Sequence, residues 1–203
     1  MGFYARHILP YAIDAACGAS QINQQRAKVV PHARGVVLEI GIGSGRNLPH
    51  YNPDKVSKII GVDPDPHIWK RSAARRATCP IEVERIGLSG EDIPLGKNSV
   101  DSVVVTYSLC TIPDAVKALK EMKRIVKPGG QILFTEHGKA PDARVQKFQT
   151  RIDPLWGKLG GGCHTGRDIP ALFHQAGLKI DTLEQAYIPG PKFVSYNFWG
   201  CTK

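Results

Sequence analysis

The stretch from Val37 to Gly45, Val-Leu-Glu-Ile-Gly-Ile-Gly-Ser-Gly, constrains the fold of this 203-residue chain more than any other. It opens as an apolar, branched run carrying one acid, the pattern of a strand buried on both faces of a parallel sheet. Glycines at 41, 43 and 45 then let the backbone turn sharply and let a ligand approach it closely, with a helix expected to start at that ligand. A dinucleotide turn would read G-x-G-x-x-G and set a pyrophosphate on the helix N-terminus. Here Arg46 stands where the third glycine belongs, and Glu39 would be a poor neighbour for a pyrophosphate.

An acid in that place suits a nucleoside that carries a positive charge, and the amino group and sulfonium of S-adenosylmethionine meet that description. The next strand, Ser57 to Val62, ends in Asp63, 22 residues beyond Gly41, where an acid hydrogen-bonds ribose hydroxyls. A third strand (81–86), the segment Leu88-Ser89-Gly90-Glu91-Asp92-Ile93-Pro94-Leu95 and a fourth strand from Ser99 to Tyr107 follow, read as two more βα units in step. The helix before Pro128-Gly129-Gly130 carries an apolar stripe of Val116, Leu119, Met122 and Ile125.

These motifs, in order from Val37 to His137, resemble those of the class I S-adenosylmethionine-dependent methyltransferases. The resemblance implies an α/β, Rossmann-like sheet, mostly parallel with an antiparallel C-terminal strand. It implies a cofactor set of Glu39, Gly41, Gly43, Gly45, Asn47, Asp63, Pro64, Gly90, Glu91 and Tyr107. A single domain of residues 1–203 is expected, comprising a helical arm or lid (1–34), a cofactor-binding core (35–137) and a substrate segment with a C-terminal strand pair (138–203). The arm is read from Phe3 to about Val30 with a break near Gly18. Its apolar residues would cover the pocket, pack on the sheet or lie on a membrane face. From Gly138 to Asp168 the pattern is irregular; beyond it come a helix to about Ala176, a strand from Leu178 towards Tyr187 and a last strand from Phe193.

The end of the fifth strand, Leu133-Phe134-Thr135-Glu136-His137, with Asp153-Pro154-Leu155-Trp156 and Gly162-Cys163-His164-Thr165-Gly166-Arg167, is similar to the alkyl-thiol methyltransferases of the methyltransferase-like group and their short bacterial relatives. Some of those relatives carry phospholipid N-methyltransferase labels. The animal enzymes begin with a longer hydrophobic anchor, so membrane residence is not carried over. The base-amine motif, Asn or Asp before Pro-Pro and an aromatic, is absent after the fourth strand, and Cys110 lacks the Pro-Cys context of cytosine carbon methylation.

The leading expectation is therefore direct in-line S-methylation of a small lipophilic thiol, with S-adenosylhomocysteine as product. The alternatives are phosphatidylethanolamine N-methylation and a non-catalytic cofactor-binding protein. A thiol of pKa about 8.5 leaves a few per cent thiolate near neutral pH, so positioning does most of the work. His137 or Tyr107 would assist deprotonation, unless His137 only satisfies a strand end or contacts the cofactor. Asp153 would steer substrate or cap a helix, and Trp156 would line the pocket or pack. Cys110 and Cys163 are candidate pocket residues. Arg167 would pair with Asp153 or with an acidic substrate group. No His, Cys and carboxylate set has metal-ligand spacing along the chain.

Net charge is +9 and the isoelectric point near 9.4. Lys70, Arg71, Arg75 and Arg76, and Lys117, Lys120, Lys123, Arg124 and Lys127, are read as solvated helix faces. Weak association with an anionic membrane surface is compatible with that charge, while nucleic acid is disfavoured because no aromatic-interleaved basic patch accompanies it. Five cysteines without a C-x-x-C pair suggest a reducing compartment. With no spanning apolar run and no signal pattern, a cytoplasmic protein is expected.

Overall fold

A computed structural model describes residues 8–203; Phe3 lies outside them. Two helices, α1 (Leu9–Cys17) and α2 (Ser20–Val29), and a 3-10 turn (Val30–His32) precede the sheet. Four strands follow, β1 (Gly35–Ile40), β2 (Val56–Val62), β3 (Glu82–Ile86) and β4 (Val100–Thr106), with short helices α3 (Pro66–Lys70) and α4 (Ala73–Ala77) after β2. The chain continues through α5 (Ala115–Ile125), β5 (Val126–His137), α6 (Ala143–Leu159) and α7 (Ile169–Gln175). It closes with β6 (Ile180–Tyr187), the helical turn α8 (Lys192–Ser195) and β7 (Tyr196–Thr202).

The strands form one sheet in the order β3-β2-β1-β4-β5-β7-β6. All pairs up to β4–β5 are parallel, and β7 lies antiparallel between β5 and β6. The expected mostly parallel sheet with an antiparallel C-terminal strand pair is thus present. Because successive side chains point to opposite faces, β1 sends Leu38 and Ile40 into a core with Leu119, Met122, Phe134 and Phe173. Val37 faces the other way, into a core with Val30, Ile59, Val104, Leu133 and Trp199. On α5, Leu119, Met122 and Ile125 are fully buried as the stripe requires.

Several local expectations are corrected. No α-helix starts at the glycine turn; only a 3-10 turn, Leu48–His50, precedes β2. That face of the sheet is covered instead by the arm, whose Val29 and Val30 join the core with Leu48 and Tyr51. The connection from β3 to β4 also lacks a helix, so those units are not the regular βα repeats read from the sequence. The segment read as irregular contains the 17-residue helix α6, with Pro154 inside it. Proline removes one backbone donor there, yet the helix persists because tertiary packing outweighs propensity. Phe148 and Trp156 both pack on Phe193, with ring centroids 5.6 and 5.1 Å away. Buried Gln149 adds hydrogen bonds to the carbonyls of Gly138, Thr165 and Phe193. The last strand begins at Tyr196, because residues 192–195 form a helical turn.

Candidate active site

In an open α/β sheet a ligand crevice forms outside the C-terminal strand ends where the strand order reverses. Here that point lies between β1 and β4, and a cleft of about 370 Å³ opens there. Glu39, Gly41 and Gly43 line it from β1 and its turn, Asp63 and Pro64 from β2, Ser89 and Gly90 from the loop after β3, and Tyr107 and Ser108 from the end of β4. Leu9, Ile13 and Cys17 of α1 form the outer wall.

Glu39 is 1% exposed. Its two oxygens accept from Asn47 Nδ2 at 3.0 Å and from the Tyr51 hydroxyl at 2.7 Å. Burial pushes its carboxyl up to about 7, against the pull of those hydrogen bonds and of Arg26. Asn47, expected to touch cofactor, stands behind Glu39: its amide also donates to Thr106 Oγ1 and its oxygen accepts from Arg26. Asp63 holds the opposite side. Its oxygens accept from the backbone N–H of Gly43 (2.9 Å) and of Asp65 (2.8 Å), which leaves lone pairs on each for hydroxyl donors. Burial raises its pKa despite these bonds.

The three turn glycines do different work. Gly41 (φ +68°) lies against Ser108, so an added Cβ would fall 2.1 Å from the Ser108 hydroxyl oxygen. At Gly43 (φ +48°) the same atom would have no neighbour nearer than 3.6 Å, so that space belongs to the cleft. Gly45 (φ +75°) packs on Leu48 and Ser72 and is not part of the lining. Glu91 also points elsewhere, accepting from Ser89 and from the N–H of Asp114 ahead of α5. The expected cofactor contacts of Asn47, Gly45 and Glu91 are thus replaced by supporting ones.

Sequence reasoning missed the residues that fasten the arm. Asp14 of α1 is 7% exposed and accepts from Ser44 in the glycine turn, from Arg46 Nε at 2.8 Å and from Arg71 at 3.0 Å. These partners outweigh the effect of burial and hold its carboxyl well below the usual range. Arg26 of α2 is buried, lines the cleft and donates to Asn47 and Thr106. A single acid on the otherwise uncharged helix Leu9–Cys17 was the available signal. The basic residues after β2 are also not all solvated: Arg75 donates to the Ser44 carbonyl, and Arg76 lies 4.2 Å over the Trp69 ring. On α5, Arg124 donates to the carbonyls of Ile93 and Leu95, while Lys117 and Lys120 are exposed as expected.

Among the candidate catalytic residues, Tyr107 lines the cleft with a left-handed backbone (φ +52°). Such strain in a non-glycine residue concentrates at functional positions. Its hydroxyl donates to Asn197 Oδ1 at 2.6 Å, and burial pushes its pKa up. His137 stacks on Tyr107 with 6.4 Å between centroids but does not line the cleft; its Nε2 lies 3.3 Å from Cys163 Sγ. Neighbouring Glu136, fully buried, accepts from the N–H groups of Ser108 and Leu109 and so shapes the loop after β4.

Asp153 neither lines the cleft nor caps a helix. It sits within α6 and accepts from the Thr165 N–H at 3.0 Å while meeting His164 Nδ1 at 2.7 Å. Trp156 packs on Phe193. Arg167 does not pair with Asp153: its guanidinium donates to the carbonyls of Leu109 and Ile112, pinning the loop that carries Cys110. Cys110 and Cys163 lie beside the cleft wall rather than in it.

A family model described as a methyltransferase domain matches residues 38–134. The rat thiol S-methyltransferase TMT1B is 35% identical over 138 residues, 65% of this chain and 55% of that protein. Residues 38–134 are a methyltransferase domain, and the fold is that of the class I S-adenosylmethionine-dependent methyltransferases. A phosphatidylethanolamine N-methyltransferase of Cereibacter sphaeroides is 26% identical over 144 residues, 68% of this chain and 70% of that protein. The structure of a SAM-dependent methyltransferase from Leishmania major shares the fold, with a TM-score of 0.71 at 18% identity, covering 98% of this chain and 80% of its own. The chain spans just over half the length of the thiol methyltransferase relative.

For a methyltransferase of this class, the cofactor is S-adenosylmethionine, and the residues present fit it. The cleft volume lies within the range of small-molecule sites, about 300–1,000 Å³. Asp63 presents carboxylate lone pairs of the kind ribose hydroxyls need, Glu39 supplies an acid for a cationic end, and the open space above Gly43 admits a ligand against the backbone.

Proposed function

We propose that this chain methylates the sulfur of a small lipophilic thiol. The observation that carries the reading is the state of the carboxylates that line the cleft. Asp14 is held by Arg46 and Arg71, Glu39 by Tyr51 and Asn47, Asp63 by two backbone N–H groups, and Asp65 by the N–H of His67. A wall without a disengaged carboxylate suits an acceptor that ionises by itself. A thiol of pKa about 8.5 does so near neutral pH, whereas an amine of pKa about 10.4 is almost wholly protonated and lacks a free lone pair.

When bound, S-adenosylmethionine supplies an electrophilic methyl group on its sulfonium. Asp63 would hold the ribose hydroxyls and Glu39 the cationic end, with the open space above Gly43 admitting the cofactor against the backbone. Leu9, Ile13 and Ile112 present an apolar wall that favours a lipophilic acceptor and excludes water. Tyr107 positions the acceptor side of the cleft rather than acting as a base, because its hydroxyl is committed to Asn197 and its pKa is raised. The name of the rat relative supports the same acceptor class.

No helix among the described residues is long and apolar enough to cross a membrane. All five cysteines are free, which supports placement in a reducing, cytoplasmic setting. The internal engagement of Arg71, Arg75 and Arg124 lowers the free positive charge and supports a small-molecule partner over nucleic acid, leaving only weak attraction to anionic membranes.

The test offers the purified protein and cofactor an alkyl thiol and, separately, phosphatidylethanolamine in dispersed vesicles, with methyl transfer followed by mass. A thioether product is expected in preference to methylated lipid. Lipid methylation with no thioether would overturn the reading in favour of the N-methyltransferase alternative.

A further inference from the structure

Three soft donors from distant parts of the chain converge behind the cleft wall. Cys110 Sγ lies on the loop after β4, a ring nitrogen of His137 at the last residue of β5 and Cys163 Sγ on the loop after α6, and the three atoms all lie within 4.8 Å of one another. The Cys163–His137 separation is 3.3 Å. Cys110 and His137 are buried, at 3% and 9% exposure, and Cys163 is half-buried. None of the three has a role in the methyl-transfer reading.

We propose that Cys110, His137 and Cys163 form a binding site for a thiophilic divalent cation of the Zn²⁺ type. Two sulfurs and an imidazole nitrogen are the donor set such a cation selects over harder ions. Tetrahedral bonds of about 2.3 Å to sulfur and 2.0–2.1 Å to nitrogen place ligand atoms roughly 3.5–3.8 Å apart. The Cys163–His137 separation of 3.3 Å lies just below that range and no pair exceeds 4.8 Å, so side-chain adjustments without a change of fold complete the geometry.

The scaffold around the donors is already fixed. The His164 N–H donates to the Cys110 carbonyl at 2.8 Å, joining the two cysteine-bearing loops directly at the site. Asp153 holds the next residues through the Thr165 N–H and His164 Nδ1. Gly161 and Gly162, at φ +66° and +91°, allow the tight return from α6 that brings Cys163 back to β5. Ligation through Nε2 leaves the His137 proton on Nδ1. Three protein donors leave a fourth tetrahedral position for water or a small ligand, the open kind of site. Cys110 Sγ also lies 3.7 Å from the Tyr107 carbonyl and 3.5 Å from Thr111 Oγ1, and both residues line the cleft. The site therefore sits one side chain away from it.

The full chain, stripped with a chelator under a thiol-free reductant, is titrated with Co²⁺ and then Zn²⁺. One equivalent of Co²⁺ should give thiolate-to-metal absorption with tetrahedral d–d bands, and Zn²⁺ should abolish both. Cys163→Ser and His137→Ala should weaken Zn²⁺ binding roughly a hundredfold or more, as loss of a ligand requires, with metal-free circular dichroism reporting that the variants are folded. Cys79→Ser and Cys201→Ser, outside the cluster, should bind as the unmodified chain does. Absence of the cobalt–thiolate bands in the unmodified chain, or equal Zn²⁺ affinity in folded Cys163→Ser, would overturn the assignment whatever the methyl acceptor proves to be.

Discussion

Asp14 of the arm and Arg46 of the glycine turn form a 2.8 Å ion pair across the mouth of the cleft, and the same carboxylate takes Arg71 and the Ser44 hydroxyl. The arm is therefore fastened to the loop that receives the cofactor. Asp14→Asn should cost roughly 2–3 kcal/mol of stability, below the figure for a fully buried pair because Arg46 and Arg71 remain partly solvated. Since the carboxyl is held below its ordinary pKa in the folded protein, its contribution is complete above about pH 4 and is lost as pH falls further. Unfolding in urea should show the gap between the two proteins closing below that pH; a gap constant down to pH 2.5 would remove Asp14 as the clasp.

Glu39 behaves in the opposite sense. Its carboxyl is pushed up to about 7 by burial, so the folded protein keeps a proton that the unfolded chain has released above about pH 4.5. Stability from this group should fall as pH rises through that window and level off above it. Glu39→Gln, which carries no such proton, should gain on the unmodified protein between pH 5 and pH 8 in denaturant melts. It should at the same time bind S-adenosylmethionine about 10–100-fold more weakly. An unchanged cofactor affinity by calorimetry would take Glu39 out of the site.

Gly41 and Gly43 separate folding from binding. Alanine at 41 meets the Ser108 hydroxyl oxygen at 2.1 Å, so Gly41→Ala should lower the melting temperature strongly. Alanine at 43 enters open space and carries only the left-handed backbone cost, about 1–2 kcal/mol. That variant should fold and bind cofactor poorly. The reverse pattern would place the ligand elsewhere in the cleft.

Arg167 acts at a distance through the loop after β4. Arg167→Ala leaves the carbonyls of Leu109 and Ile112 without their donor, a loss of roughly 1.5–3 kcal/mol for charge-assisted bonds. Hydrogen exchange should rise in residues 108–113 and not in β1. Lysine supplies charge without the planar fork and should restore stability only in part.

The sheet and two of the acids that line the cleft were legible because each is encoded by adjacent residues: a branched run that carries Glu39 into a glycine turn; a second run, then Asp63. The clasp was not legible, since it depends on Asp14 meeting residues 30 and more positions away. Helix α6 was hidden by Pro154 and by the glycines at 160–162, whose local signal is irregular while the packing on Phe193 is not. The backbone of Tyr107 left no trace either, because no residue type marks a strained tyrosine. Charge was read too simply: an arginine such as Arg124 can span a helix surface and still spend its donors on a neighbouring loop.

The position of the arm sets an order of events during synthesis. Helix α2 packs on β5 and β7, and Lys28 rests 3.7 Å over the ring of Trp199, 171 positions further along the chain. Helix α2 is therefore made well before the part of its docking surface that β7 supplies. Its apolar residues must wait, unburied or chaperoned, until β7 follows, so the docking of α2 on the sheet is completed late in folding.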